Sequence, residues 1–263
     1  MDLDKLIKAY GNVKLILTPS GFHVAIREQN GEDDDILSNV SLMDDGTAYN
    51  AFIAAIIVGC SEIPTLQGNL SEVLKLRPRD KYFILVSSRI FSLDNLVTFH
   101  YDWSDKVRVT YTEDLTNYIW DYTKDFPYDS SDPNYFKYRI KPYEVGGLEG
   151  MEPQTFALST GKVISYTPLN GEAEKYFIKL PNSQLSINAE LKARKLSLRT
   201  GNEVSVIENF RGFTATEMRE IRTNIDRVDP RYDLLTDIEN PETKEVVPMS
   251  LVGLPDFFYP RLI

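Results

Sequence analysis

Apolar residues recur along this chain at two spacings. A helical period runs through residues 2–10, where Leu3, Leu6 and Ile7 share one face and Gly11 ends the pattern. An alternating period follows at 13–17 and 22–27, two strands turned about Thr18-Pro19-Ser20-Gly21. Asn30 then precedes Gly31-Glu32-Asp33-Asp34-Asp35. An asparagine oxygen accepts from the free amides of a first helical turn, and acids there suit its positive end, so a capped helix starts here. The acids lack the ligand spacing of an EF-hand loop, so capping is favoured over calcium. Residues 51–60 are the most apolar run, far too short to span a bilayer, and 49–58 spell a buried helix. Asp80 is expected to cap a helix with its body at 82–91, and strands at 96–101 and 106–111 pair across Asp102-Trp103-Ser104-Asp105. A short helix at 114–125, a Pro/Asp/Ser-rich loop at 126–134 and a strand at 135–143 follow.

Gly146-Gly147-Leu148-Glu149-Gly150 reads as a linker, dividing the chain into domains at 1–146 and 147–263. The second half reuses the order of the first. Strands at 154–158 and 162–167 turn about Ser159-Thr160-Gly161. Asn170-Gly171-Glu172 repeats Asn30-Gly31-Glu32 ahead of a helical stretch, and 186–198 is helical by period. Thr214-Ala215-Thr216-Glu217 is a capping box that opens a helix to about residue 228. A hairpin of 236–239 and 244–251 turns at Asn240-Pro241-Glu242-Thr243. This shared order points to an internal duplication. Both closing hairpins have the plan of a zinc ribbon knuckle, but Asp102, Asp105, Asn240 and Thr243 stand where thiolates would be. The expected fold is therefore α+β: two related small lobes, each with antiparallel hairpins and packed helices, ending in zinc-ribbon-like hairpins that lack metal.

Composition narrows the function. With 263 residues, 42% hydrophobic and 11% aromatic, the chain can bury a sizeable core. A net charge of −10 repels phosphate, so nucleic acid is not an expected partner. The one cysteine, Cys60, forms no internal disulfide and suits a reducing compartment. The first residues lack the architecture of a signal peptide, and no membrane partner is expected. Catalytic chemistry finds little support. His23 and His100 fall in strands without a fixed acid–base partner in sequence, and no nucleophile elbow, phosphate loop or His-Glu-x-x-His pattern occurs. No metal, cofactor or catalytic residue is expected.

What remains is aromatic surface. Tyr118, Trp120, Tyr122, Phe126, Tyr128, Tyr135, Phe136 and Tyr138 crowd one loop-rich region, which suits either core packing or a protein interface. Tyr118, Trp120, Tyr122, Phe126, Tyr128, Tyr135 and Phe136 are the expected interface, with Tyr259 at the rim near the C-terminus. Phe257 and Phe258, between Pro255 and Pro260, are expected to dock on the chain's own second lobe.

Several of these stretches together resemble a phage family. A Pro-Ser-Gly hairpin at 18–22 leads to an Asn-Gly-Glu-Asp helix start at 30–37. An Arg-Asp-x-Tyr helix at 79–90 carries Ser88-Arg89-Ile90, a knuckle hairpin follows, and Asp256-Phe257-Phe258-Tyr259-Pro260 closes the chain. The pattern resembles the baseplate hub and tail-assembly proteins of T4-type contractile-tailed bacteriophages. Members of that family often carry Cys-x-x-Cys at the knuckle, from which this chain departs. The resemblance implies a non-enzymatic component of a tail baseplate, made in the host cytoplasm and placed in the virion among other tail proteins of a multi-subunit assembly. An assembly chaperone absent from the finished particle is the alternative.

Overall fold

Residues 2–104, 107–120, 137–181, 187–200, 203–254 and 257–258 are described by the computed structural model of the chain. They form a mixed α+β fold of several small antiparallel sheets and packed helices. Helix α1 (Leu3–Tyr10) is capped by Asp2, and its apolar residues stay largely uncovered. Strands β1 (Val13–Leu17) and β2 (His23–Arg27) pair in the expected hairpin. Asn30 caps α2 (Gly31–Leu37): its side chain accepts from the Glu32 amide at 2.9 Å, and Asp33 answers by accepting from the Asn30 amide at 2.8 Å. Asp33 is also held by both terminal nitrogens of Arg27, at 2.7 and 2.8 Å, so this carboxylate serves the cap.

After α3 (Val40–Asp44), the apolar run at 49–58 departs from its expected form. It is helical in α4 (Ala48–Ile56), then turns directly into β3 (Ile57–Cys60), which pairs with β2. A short apolar run does not distinguish a buried helix from a buried strand; the free edge of β2 decides for Ile57 and Val58. Helices α5 (Leu70–Val73) and α6 (Pro78–Ser92) follow. Asp80 is not the cap of α6. Arg77 holds that position, Pro78 opens the helix, and Asp80 lies buried in its first turn, accepting from the Ser20 amide at 2.8 Å and hydroxyl at 2.6 Å.

Strands β4 (Leu96–Asp102) and β5 (Arg108–Asp114) form the first closing hairpin. Where a helix from 114 was expected, Asp114 ends β5 and caps a single 3-10 turn, Leu115–Asn117; residues 121–125 lie outside the described residues, as does the loop at 126–134. Residues 137–143 are not a strand. They run along the core in irregular form, pinned by Ile140 N–H on the Tyr118 carbonyl (2.8 Å) and Tyr143 N–H on the Pro19 carbonyl (3.1 Å).

The second half builds β6 (Gln154–Ala157), β7 (Val163–Tyr166), α7 (Gly171–Ile178), α8 (Ile187–Ala193), β8 (Ser197–Thr200), β9 (Glu203–Val206), α9 (Ala215–Val228), β10 (Leu235–Glu239) and β11 (Val246–Ser250). The helix expected over 186–198 stops at Ala193. Lys195 turns left-handed at φ 52°, and the chain re-enters as β8 beside β7, giving the sheet order β6-β7-β8-β9.

Buried apolar residues gather in two clusters. The larger takes in residues from Ile16 to Ile140 together with Leu234, Ile238, Leu251, Val252, Phe257 and Phe258; the smaller runs from Leu158 to Ile225. The core therefore does not divide at residue 146, because the last hairpin sits on the first half. The glycine-rich stretch there is packed, unlike a linker. Gly147 donates to the Ser20 carbonyl at 2.6 Å, and a Cβ on Gly150 would stand 2.6 Å from Arg77 Nη1. Arg77 and Arg194, both fully buried, meet on Asp229. Asp229 also accepts from the Leu169 amide at 2.7 Å, while Arg77 donates to the Val145 and Val228 carbonyls at 2.7 and 2.9 Å. This ionic node ties the start of α6 to the end of α9.

Candidate functional site

A cleft of 890 Å³ opens where α4, α6, α7 and residues 231–233 converge. Its size falls in the range of about 300–1,000 Å³ common for binding pockets. Tyr49, Ile53, Tyr82, Leu85, Phe177 and Tyr232 form its apolar walls, and Tyr82 stacks edge-on against Tyr232 at 5.5 Å between centroids. Each wall follows from a local sequence choice. Helix α4 is apolar nearly all round, so it presents Tyr49 and Ile53 to the cleft while Phe52 faces the core. Asn170 caps α7 by accepting from the Glu172 and Ala173 amides at 3.1 and 3.2 Å. Gly171 lets α7 approach α5 closely: its amide donates to the Leu74 carbonyl at 2.8 Å, where a Cβ would stand 2.7 Å from the Leu74 side chain.

The ammonium of Lys81 lies in this cleft, almost wholly buried, against Asn50 Oδ1 (3.3 Å) and the Glu174 carboxylate. Burial pushes the Lys81 pKa down and Glu174 opposes that shift. Burial, with Glu174 and Asp233 nearby, raises the Tyr82 hydroxyl well above its ordinary value. Arg231 pairs with Asp233 at 3.1 Å, and Glu190 with Arg194 at 3.0 Å. No motif or spacing in the one-dimensional pattern marked this cleft. The sole signal was a lysine on the buried face of α6, which requires a partner from elsewhere in the chain.

The expected interface residues fare differently. Tyr118 is fully buried in the larger cluster, its hydroxyl donating to Glu113 at 3.0 Å; it is a core residue, because Leu115 and the 3-10 turn carry it inward. Trp120 is half-buried under the Arg139 guanidinium, 4.3 Å from the ring centroid. Tyr122, Phe126, Tyr128, Tyr135, Phe136 and Tyr259 lie outside the described residues. Tyr138 donates to Asp237 of β10 and is one of the contacts that seat the last hairpin.

Phe257 and Phe258 are buried within the chain, but not on the second half. Phe258 packs edge-on against Phe52 of α4 at 5.2 Å and tilts over Tyr49 at 5.7 Å. The last hairpin carries them there, since Tyr49 donates to the Val252 carbonyl at 2.9 Å.

The knuckle positions make turn and surface contacts. Asp102 grips Arg108 at 2.6 and 2.8 Å; Asn240 accepts from the Glu242 and Thr243 amides at 2.9 and 3.2 Å; Thr243 accepts from Glu245 at 3.4 Å. Asp105 lies outside the described residues. Among the described residues no three of His, Cys, Asp and Glu gather in a group able to hold a metal.

Two sites of conceivable acid–base chemistry also resolve. His23 finds Glu62 at 2.7 Å, with the Cys60 thiol 3.8 Å from the same carboxylate. The same carboxylate meets both the imidazole and the thiol, and burial pushes the thiol pKa up. His100 Nδ1 meets Thr110 Oγ1 across the β4–β5 pair at 2.9 Å. No described helix is long and apolar enough to cross a membrane. No protein-family model, curated protein or solved structure matches the chain.

Proposed function

We propose that this chain is a non-enzymatic structural component of a contractile-tail phage baseplate, at or near the hub, acting through protein–protein contacts in a multi-subunit assembly. The observation that carries the contact role is the open cleft. Its walls are aromatic and aliphatic, and each ionised group in it is paired, which suits recognition more than proton transfer. The tail setting rests on the sequence resemblance alone. Mass spectrometry of purified tails of a phage encoding this chain tests it. Stoichiometric presence supports the structural reading, presence only in tail precursors supports an assembly chaperone, and absence from both removes the tail setting.

The fold proposed with it is two related lobes, each closing in a metal-free knuckle hairpin. Support comes from matching connections. In each half a hairpin leads to an Asn-capped helix, and a later strand joins the hairpin's second strand: β3 on β2, β8 on β7. A hydroxyl from the hairpin turn also grips the carboxylate at the third position of a later helix, α6 in the first half and α9 in the second. Ser20 meets Asp80 at 2.6 Å, and Thr160 meets Glu217 at 2.8 Å. An experimental structure in which residues 11–112 fail to superpose on 154–252 would overturn the relation.

A further inference from the structure

The four-stranded sheet of the second half ends in an apolar edge strand, β9. Ile207 N–H donates to the Leu196 carbonyl at 2.8 Å, and β9 continues beside β8 with Ser197 opposite Val206 and Leu198 opposite Ser205. In an antiparallel pair successive residues turn their backbone polar groups to alternate sides. Ser205 therefore points its amide and carbonyl at β8, while Val204 and Val206 point theirs at the free edge. The side chains of these two valines are also uncovered, at 65% and 69% exposure. Ile164, Leu198 and Ser205 lie in line across the sheet, and the first two face the smaller core cluster. Val204 and Val206 stand on the opposite face, in the rows of Arg199 and Ser197. A solvent face is expected to be polar, so the pattern of β9 is reversed at the edge. Edge strands are commonly guarded by lysine or another charge, by proline or by a bulge. The edge strands β1, β5 and β11 carry Lys14, Arg108 and Pro248. Strand β9 has one charge, Glu203, at its first residue, none within Val204–Val206, and no register shift against β8.

We infer that Val204–Val206 is a self-association edge, on which β9 pairs antiparallel with β9 of a second copy of this chain. Only residues that both face outward can exchange hydrogen bonds, which restricts the register to Val204 and Val206. Centred on Ser205, the register sets Val204 opposite Val206 of the second copy, and Val206 opposite its Val204. Each pair exchanges two backbone hydrogen bonds, and the four valines meet on one face. A two-fold axis through Ser205 generates both pairs at once, so this short segment is its own complement. The pairing joins two four-stranded sheets into one continuous sheet and covers the reversed face of each edge. The inference names one partner for the protein–protein reading, and it depends on neither the cleft nor the tail setting.

Sedimentation equilibrium of the full chain from about 10 μM to about 1 mM tests this. The expected result is a reversible monomer–dimer equilibrium. Val206→Lys removes an apolar contact in both copies at once and should raise the dissociation constant about tenfold or more. Val246→Lys alters an exposed valine of the last hairpin and should leave the constant unchanged. Both side chains stand largely in solvent in the single chain, so circular dichroism should show native folding for both variants. Ser205→Cys reads the register without disturbing the valines. At the two-fold axis the two Cα atoms of position 205 stand about 4.5 Å apart in a non-hydrogen-bonded pair, within disulfide reach. Oxidation with copper phenanthroline should then give a covalent dimer joined at position 205, and the wild-type chain, whose single Cys60 is buried, is the blank. A native chain that stays monomeric over the whole range, a Val206→Lys variant that dimerises as tightly as wild type, or a Ser205→Cys variant that does not cross-link overturns the inference. A chain found in tails yet monomeric in solution loses this inference alone. A chain that dimerises through β9 yet is absent from tails and precursors loses only the tail setting.

Discussion

Replacing Asp229 should be the most damaging single change outside the apolar core. This one carboxylate faces two guanidinium groups, Arg77 and Arg194, each with no solvent exposure. It also accepts the Leu169 amide at 2.7 Å. In Asp229→Ala, Arg194 keeps Glu190 at 3.0 Å, and Arg77 keeps only the carbonyls of Val145 and Val228 and the face of Tyr143, 3.2 Å away. Removing one partner of a buried ion pair costs about 3–5 kcal/mol, mostly from the charge left behind. For a chain of this size about 1 kcal/mol corresponds to about 2–4 °C in melting temperature, so a loss of about 6–20 °C is expected. Calorimetry or circular dichroism at neutral pH reads it. Asp229→Asn keeps the shape and removes the charge, so it should lose nearly as much. A shift below about 2 °C for the alanine variant would refute the role of the node; wild-type melting in the asparagine variant would show that hydrogen-bond geometry, not charge, holds the halves.

Three further outcomes follow from the same geometry. The double change Phe257→Ala and Phe258→Ala empties a buried site against Phe52 and should destabilise the isolated chain by several kcal/mol, about 3–5 for each ring removed; unchanged melting would mean the pair is not docked in solution. Glu217 is held at about 2, below its ordinary 4.5, first by Lys162 and then by the Thr214 amide and Thr160 hydroxyl. A depressed carboxylate adds stability above pH 4.5 that fades as pH falls toward about 2, so Glu217→Gln should flatten the acid limb of a stability–pH curve in that window, and an unaltered limb would remove the residue from it. Elemental analysis of protein purified without chelator should find no stoichiometric zinc, since the oxygens of Asp102, Asn240 and Thr243 are poor zinc ligands; one zinc per chain would overturn the metal-free reading of the knuckles.

Local chemistry was legible in the sequence wherever a residue's partner lies within a few positions. Asn30, Asn170 and Thr214 cap helices that begin where the pattern places them, because a cap is satisfied by amides two or three residues away. The hairpins about Gly21, Gly161 and Asn240 pair for the same reason: turn and strands are contiguous. Tertiary structure decided whatever depended on a distant partner. Whether Ile57 and Val58 continue a helix or form β3 was settled by the open edge of β2, some thirty residues earlier in the chain. Tyr118 is carried inward by its 3-10 turn into the cluster that also holds Ile238 of the last hairpin, and that hairpin sits on the first half because Tyr49 and Phe52 receive Val252 and Phe258. The cleft and the Asp229 node join α6 to α7 and α9, across a separation that neither period nor motif encodes. Propensity and capping act over a turn of chain; burial of charge and apolar area acts over the whole molecule, and only the folded chain shows which partners meet.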